Sequence, residues 1–212
     1  MSIPVRAALA TSALLALAAL PSAAGELALE VHAGYFQMAA GNSASALFDS
    51  SGGGTFGGAG RFTFWRSAYV SAGARAFSKD GERVFVATPN SVVQKLGFPL
   101  SVRITPVFLT AGYRFRDGKR IVPYAGIGGL LAFYKEESEV TGESFNESRS
   151  KGGFLGVAGV EVGRGTFRIG AEVGYSAVPD AIGIGGVSKV YGEKDLGGLH
   201  AIGKLVVAFG GS

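Results

Sequence analysis

Residues 167–176 read Phe-Arg-Ile-Gly-Ala-Glu-Val-Gly-Tyr-Ser. Phe167, Ile169, Ala171, Val173 and Tyr175 share one parity; Arg168, Gly170, Glu172, Gly174 and Ser176 share the other. A strand sends successive side chains to opposite faces, so this segment has one oily face and one face of glycine and charge. The same period of two recurs on both sides of it. It predicts strands over Leu27–Phe36, Phe56–Trp65, a third ending near Phe77, Val107–Phe115, Val122–Tyr134, Gly153–Val162 and Leu199–Phe209.

The connections alternate in length. Long loops are expected at 37–55, 78–106, 135–151 and 177–197; short turns fall at Arg66-Ser67, Arg116-Asp117-Gly118-Lys119 and Gly163-Arg164-Gly165. Asp-Gly between two apolar runs is a hairpin signal, and hairpins join antiparallel neighbours. Val84-Phe85-Val86 and Val92-Val93 extend the second hairpin as a ribbon beyond the membrane. Pro106 cannot donate to a ladder, so the membrane part of strand four is expected to start at Val107. Strand five is apolar on both parities, which leaves its facing open.

The first residues carry one early charge, Arg6, then an apolar stretch from Ala7 to Leu20 and the small residues Pro21-Ser22-Ala23-Ala24. This is the pattern of a Sec-type signal peptide over 1–24, with the mature domain expected over 25–212. Its apolar core is short for a spanning helix. The chain has no Cys, which excludes a disulfide scaffold and an anchor through a lipidated Cys. Without Arg6, the 20 Lys and Arg fall to 19 against 16 acids. The basic residues are scattered about one per strand, so nucleic acid is not an expected partner.

With no long apolar run in the mature chain, a closed barrel is the remaining way to cross a bilayer, because every backbone amide in hydrocarbon needs a partner within the protein. Strand lengths match tilted membrane strands. Tyr35, Tyr113, Phe115, Tyr124, Tyr134, Phe167, Tyr175 and Phe209 lie near strand ends, where aromatic girdles form. A soluble sandwich or lipocalin-like barrel also alternates, but its outer face would be regularly charged rather than glycine-rich with single charges. The expected fold is therefore an all-β, eight-stranded, antiparallel up-and-down transmembrane β-barrel, with short turns and both termini on the periplasmic side.

Val122-Pro123-Tyr124-Ala125-Gly126-Ile127-Gly128-Gly129 resembles the Pro-Tyr-x-Gly-x-Gly strand of the OmpA/OmpX-type eight-stranded outer-membrane barrels, and the likeness covers the whole mature chain. The resemblance implies the outer membrane of a Gram-negative bacterium and the barrel-assembly machinery as a partner during insertion. Such proteins usually end on an aromatic residue; here Phe209 is followed by Gly210-Gly211-Ser212. No peptidoglycan-binding domain is expected after the barrel.

The inward parity predicts a mixed-charge lumen of Glu30, His32, Arg61, Arg75, Arg114, Glu161, Arg168, Glu172, His200 and Lys204. Eight strands enclose a space that side chains can fill, so a plugged core is favoured over a conducting pore. With strands one and eight antiparallel and Leu27 near Phe209, His32 should lie opposite Lys204, well below His200. The two histidines are then too far apart to act together, and His200-Ala201-Ile202 lacks the His-x-Ser of the lipid A deacylases. No catalytic residues, metal ligands or cofactors are expected: the carboxylates lack ligand spacing, and Gly52-Gly53-Gly54 and Gly183-Ile184-Gly185-Gly186 lack the partners of a phosphate loop. The acidic loop 135–151 reads as a solvated surface.

Two functions fit. One is a non-enzymatic, monomeric barrel of structural or surface-interaction type, in contact with outer-membrane lipids and lipopolysaccharide and meeting an extracellular ligand through its loops. The other is a channel or transporter for small or hydrophobic molecules, with Phe48, Phe85, Phe98, Ile182 and Ile184 forming its entry.

Overall fold

The computed structural model describes residues 25–65, 67–115, 120–140 and 143–210. The strands are β1 (Gly25–Met38), β2 (Gly52–Phe64), β3 (Ala68–Phe85), β4 (Gln94–Arg114), β5 (Ile121–Val140), β6 (Glu143–Arg164), β7 (Phe167–Ala177) and β8 (Gly198–Gly210). They close in sequence order into one barrel in which all neighbours are antiparallel. β1 and β8 meet with Leu27 opposite Phe209 and His32 opposite Lys204, the expected register. The expected signal peptide and the Asp117-Gly118 turn lie outside the described residues.

The two faces separate as the period of two requires. Phe56, Ile127, Phe154, Phe167 and Val173 are exposed on the outside, Ile127 at 77%. Arg114 and Glu161, at 0%, are the innermost charges. Among the described residues no helix is long and apolar enough to cross a membrane. The closed ladder and its exposed apolar belt take that role.

Strand five faces the lumen with its even positions: Val122, Tyr124, Leu130 and Ala132 are buried while Ile127, Leu131 and Phe133 are exposed. Register decides this, since Tyr124 pairs with Arg114 on one side and Gly159 on the other. Tyr124 and Tyr134 therefore leave the expected girdle for the inward parity. Lumenal rings rest on glycines of neighbouring strands. A Cβ at Gly159 would stand 2.4 Å from the Tyr124 hydroxyl, and one at Gly174 would stand 2.4 Å from the His200 ring.

Three expectations about the connections are corrected. Residues 135–151 are not a loop: β5 and β6 stay paired as far as Val140 opposite Glu143, as a two-stranded ribbon. β4 runs straight through Pro106, which pairs with Ala132 of β5; on the other side, pairing with β3 stops at Ala74/Val107 and resumes at Phe77/Ile104. The missing amide is thus absorbed by a local gap. Loops 37–55 and 177–197 each contain a helix, α1 (Gly41–Phe48) and α2 (Gly186–Tyr191). α1 buries Ala44 and Phe48 and ends at Asp49 in the left-handed region, φ 59°.

The interior has two layers. Charged residues fill the end near the short turns. Toward the long loops, Met38, Phe48, Phe77, Leu100, Ile104, Phe108, Leu130, Leu155, Val178 and Leu196 form an apolar cluster.

Candidate functional site

The inward positions of all eight strands build one connected polar network. Glu161 of β6 is its hub: it takes both ends of the Arg61 guanidinium, with Arg61 Nη2 at 3.1 Å, and Arg114 Nη2 at 3.2 Å. Arg114 Nη1 donates in turn to Glu26 at 3.0 Å, and Arg168 Nη1 reaches the same carboxylate at 2.8 Å. On the other side Arg61 pairs with Glu30 at 2.8 Å, and Glu30 accepts from Lys204 Nζ at 3.0 Å. Lys204 bridges to Glu172 at 3.2 Å. Glu172 also accepts from the Tyr124 hydroxyl at 2.9 Å and lies 3.5 Å from His200 Nε2 and 4.0 Å from Arg75 Nη2. Buried ions are tolerable when paired and hydrogen-bonded in this way.

Of the ten residues named from sequence, nine are joined through these contacts. His32 lies among them, buried opposite Lys204, with its Nε2 unpartnered. Two participants were not anticipated. Glu26 has the parity of Glu30 but is only the second residue after the expected cleavage site, and starting the strand one residue earlier would have found it. Tyr124 could not be placed while the facing of strand five was open. His200 pairs with Phe36, four positions along β1 from His32. Among the described residues no cluster of three potential metal ligands occurs.

Two internal cavities adjoin the network. The one of about 20 Å³ is lined by Glu30, Tyr69 and Glu172; the one of about 30 Å³, nearer the long loops, by Arg75, Phe77, Phe108 and His200. Each is room for about one or two waters.

The long-loop end is tied together by polar contacts. Glu193, in the β7–β8 connection, caps α1: Asn42 and Ser43 donate their backbone N–H groups to its carboxylate at 2.9 and 2.8 Å. The cap is supplied from another loop because Ala40, at the N-cap, has no side chain to do it. Lys79 Nζ donates to Ser50 O at 2.8 Å and Gly52 O at 2.6 Å, Lys95 pairs with Asp49 at 2.9 Å, and Arg83 Nη2 donates to Ser138 Oγ at 2.7 Å. The Lys135 ammonium, hydrogen-bonded to Glu137, holds that carboxyl below its ordinary range. Of the five residues named as a transport entry, Phe48 is buried in the apolar cluster, Ile182 packs against it, Phe98 is half-buried, and Phe85 and Ile184 are exposed.

No protein-family model matches the sequence, and a search of curated proteins gives no match. Solved structures do match. The outer membrane protein OprG from Pseudomonas aeruginosa aligns over 89% of this chain and 97% of its own, with a TM-score of 0.62 at 12% identity. Ail, the attachment invasion locus protein of Yersinia pestis, in complex with the heparin analogue sucrose octasulfate, aligns over 88% and 99%, with a TM-score of 0.51 at 18% identity. The chain has the eight-stranded outer-membrane β-barrel fold of the OmpA/OmpX type. A major outer membrane protein from Thermus thermophilus, covered over its whole length at a TM-score of 0.52 and 10% identity, has the same overall shape. At such identities the likeness is one of barrel architecture.

Proposed function

We propose that this protein is a non-enzymatic outer-membrane barrel of surface-interaction or structural type, acting through its long-loop end rather than by conduction. The observation that carries the reading is the filled interior: a continuous charge network below, an apolar cluster above, and cavities between them no larger than about 20 and 30 Å³. Solutes would have to break several buried ion pairs to pass. The exposed apolar belt supports a location in the outer membrane, and the signal-peptide pattern supports export. Above the belt the β3–β4 and β5–β6 ribbons project as paired, charged strands, which suits contact with another surface better than a mobile loop does. That the similarly built Ail was solved with a heparin analogue supports the general kind and leaves this barrel's ligand to its own loops.

Two measurements test the reading together. The refolded protein in planar bilayers is expected to show no stable single-channel conductance. Replacing residues 137–146 with a two-residue turn is expected to leave the barrel folded while reducing the adherence or autoaggregation of cells that carry it. Stable conductance by the intact protein, or unchanged adherence and aggregation after that replacement, would overturn it.

A further inference from the structure

Among the described lumenal cations, Arg61, Arg114, Arg168 and Lys204 each have a carboxylate oxygen within 3.0 Å. Arg75 does not. Its closest carboxylate oxygen, on Glu172, is 4.0 Å away, and that carboxylate already serves Lys204, Tyr124 and His200. Arg75 is only 7% exposed, its Nε has no hydrogen-bond partner, and one face of its guanidinium lies 4.9 Å from the centre of the Phe108 ring. Arginine does not escape such a position by losing its proton. A buried, underpaired cation costs far more than a paired one.

Arg75 also lines the cavity of about 30 Å³, at the boundary between the charge network and the apolar cluster. Its other polar walls are Thr55, Ser176 and His200, and no carboxylate lines it. The hydroxyls of Thr55 and Ser176 donate to Ala76 O at 3.0 Å and Gly198 O at 3.3 Å, so the guanidinium supplies the free donors. The smaller cavity differs in kind: Glu30 and Glu172 line it beside Arg61, Arg75 and Lys204, so carboxylates already face its cations.

We propose that the larger cavity binds one small monovalent anion, of the chloride class, against Arg75. Such an ion gives Arg75 a counter-charge where a water cannot, and the volume leaves no room for an organic anion with a tail. The apolar remainder of the wall disfavours strongly hydrated divalent anions. The site is separate from whatever the loops bind, and the ion would complete the filling of the lumen.

Bromide serves as the probe. Crystals of the refolded barrel grown in bromide are expected to show an anomalous peak in contact with the Arg75 guanidinium. In lipid vesicles, the urea midpoint of unfolding is expected to be higher in chloride than in gluconate at equal ionic strength, with the difference lost in Arg75→Gln. A wild-type crystal with no anomalous peak at Arg75 overturns the proposal whatever the midpoints do, and it decides the matter even if Arg75→Gln fails to fold. A chloride effect that persists undiminished in Arg75→Gln places the ion elsewhere and also overturns it.

Discussion

Arg168 of β7 donates a 2.8 Å hydrogen bond to Glu26 of β1, reaching past β8, the strand that closes the barrel between them. Glu26 is shared with Arg114 of β4, so one carboxylate near the N-terminal end ties three strands together. Glu26→Gln leaves two guanidinium groups short of a counter-charge. The expected loss is toward the lower end of about 3–5 kcal/mol, because both arginines keep Glu161 within reach. Urea unfolding from lipid vesicles measures it, and combination with Arg168→Gln should be clearly non-additive.

The assignment of faces on β7 separates two neighbouring substitutions. Val173→Arg puts a charge on the outer face, 57% exposed to the surroundings, at an expected cost of about 2–4 kcal/mol near the bilayer midplane. Glu172→Leu strips His200 and Arg75 of their nearest carboxylate inside the lumen and leaves Lys204 with Glu30 alone. Both lower stability, but the cost of Val173→Arg alone should depend on bilayer thickness. Unfolding from vesicles of two thicknesses measures the contrast, and the reverse pattern would mean that β7 is inside out.

Two lumenal tyrosines should respond differently to losing a hydroxyl. That of Tyr124 donates to Glu172 at 2.9 Å, whereas that of Tyr69 is buried without a partner. Tyr124→Phe is expected to cost about 1.5–3 kcal/mol, as for a hydrogen bond to a charged group, and Tyr69→Phe clearly less. Equal losses in urea unfolding would show that the two hydroxyls do not differ in this way.

Glu193→Ala removes the cap of α1 without touching the barrel wall. The expected cost is about 0.5–2 kcal/mol, confined to the cover. Hydrogen exchange should accelerate at the Asn42 and Ser43 amides and across 41–48, while amides of β1 and β8 remain protected. Uniform acceleration throughout the barrel would contradict a local role.

Orientation can be read by thiol labelling, since the chain has no native Cys. Single Cys replacements at Ser45, Asn90, Ser144 and Asp180, all exposed at the long-loop end, should react with an impermeant reagent on intact cells. Thr166, exposed in the turn between β6 and β7, should react only after permeabilisation. Ser43 is the instructive control: loop composition suggests access, yet it is 4% exposed beneath the Glu193 cap and should stay unlabelled.

The strand count, the antiparallel order and the charged inward parity were legible because a strand's side chains strictly alternate. Arg61, Glu161 and Glu172 announce their face by one-residue spacing from Phe62, Val160 and Val173. Where alternation is silent, the sequence leaves the face open. Strand five is apolar on both sides, and Tyr124 acquires its place only from pairing with Arg114 and Gly159. Residues 135–151 are polar enough to be a loop and become a ribbon because β5 and β6 pair continuously beyond the apolar belt. α1 and α2, of eight and six residues, are too short for a helical period to stand out.

The period of two and the alternation of connection lengths determined the barrel and its two faces from the chain alone, because both are local properties of extended backbone. Which carboxylate meets which guanidinium was decided only in three dimensions. Glu26 and Arg168 are 142 residues apart, and Arg61 and Glu161 are 100 apart. Closure and register bring them together. The same closure leaves Arg75 with its nearest carboxylate at 4.0 Å, a shortfall that depends on how each pair shares its neighbours and that no local pattern encodes.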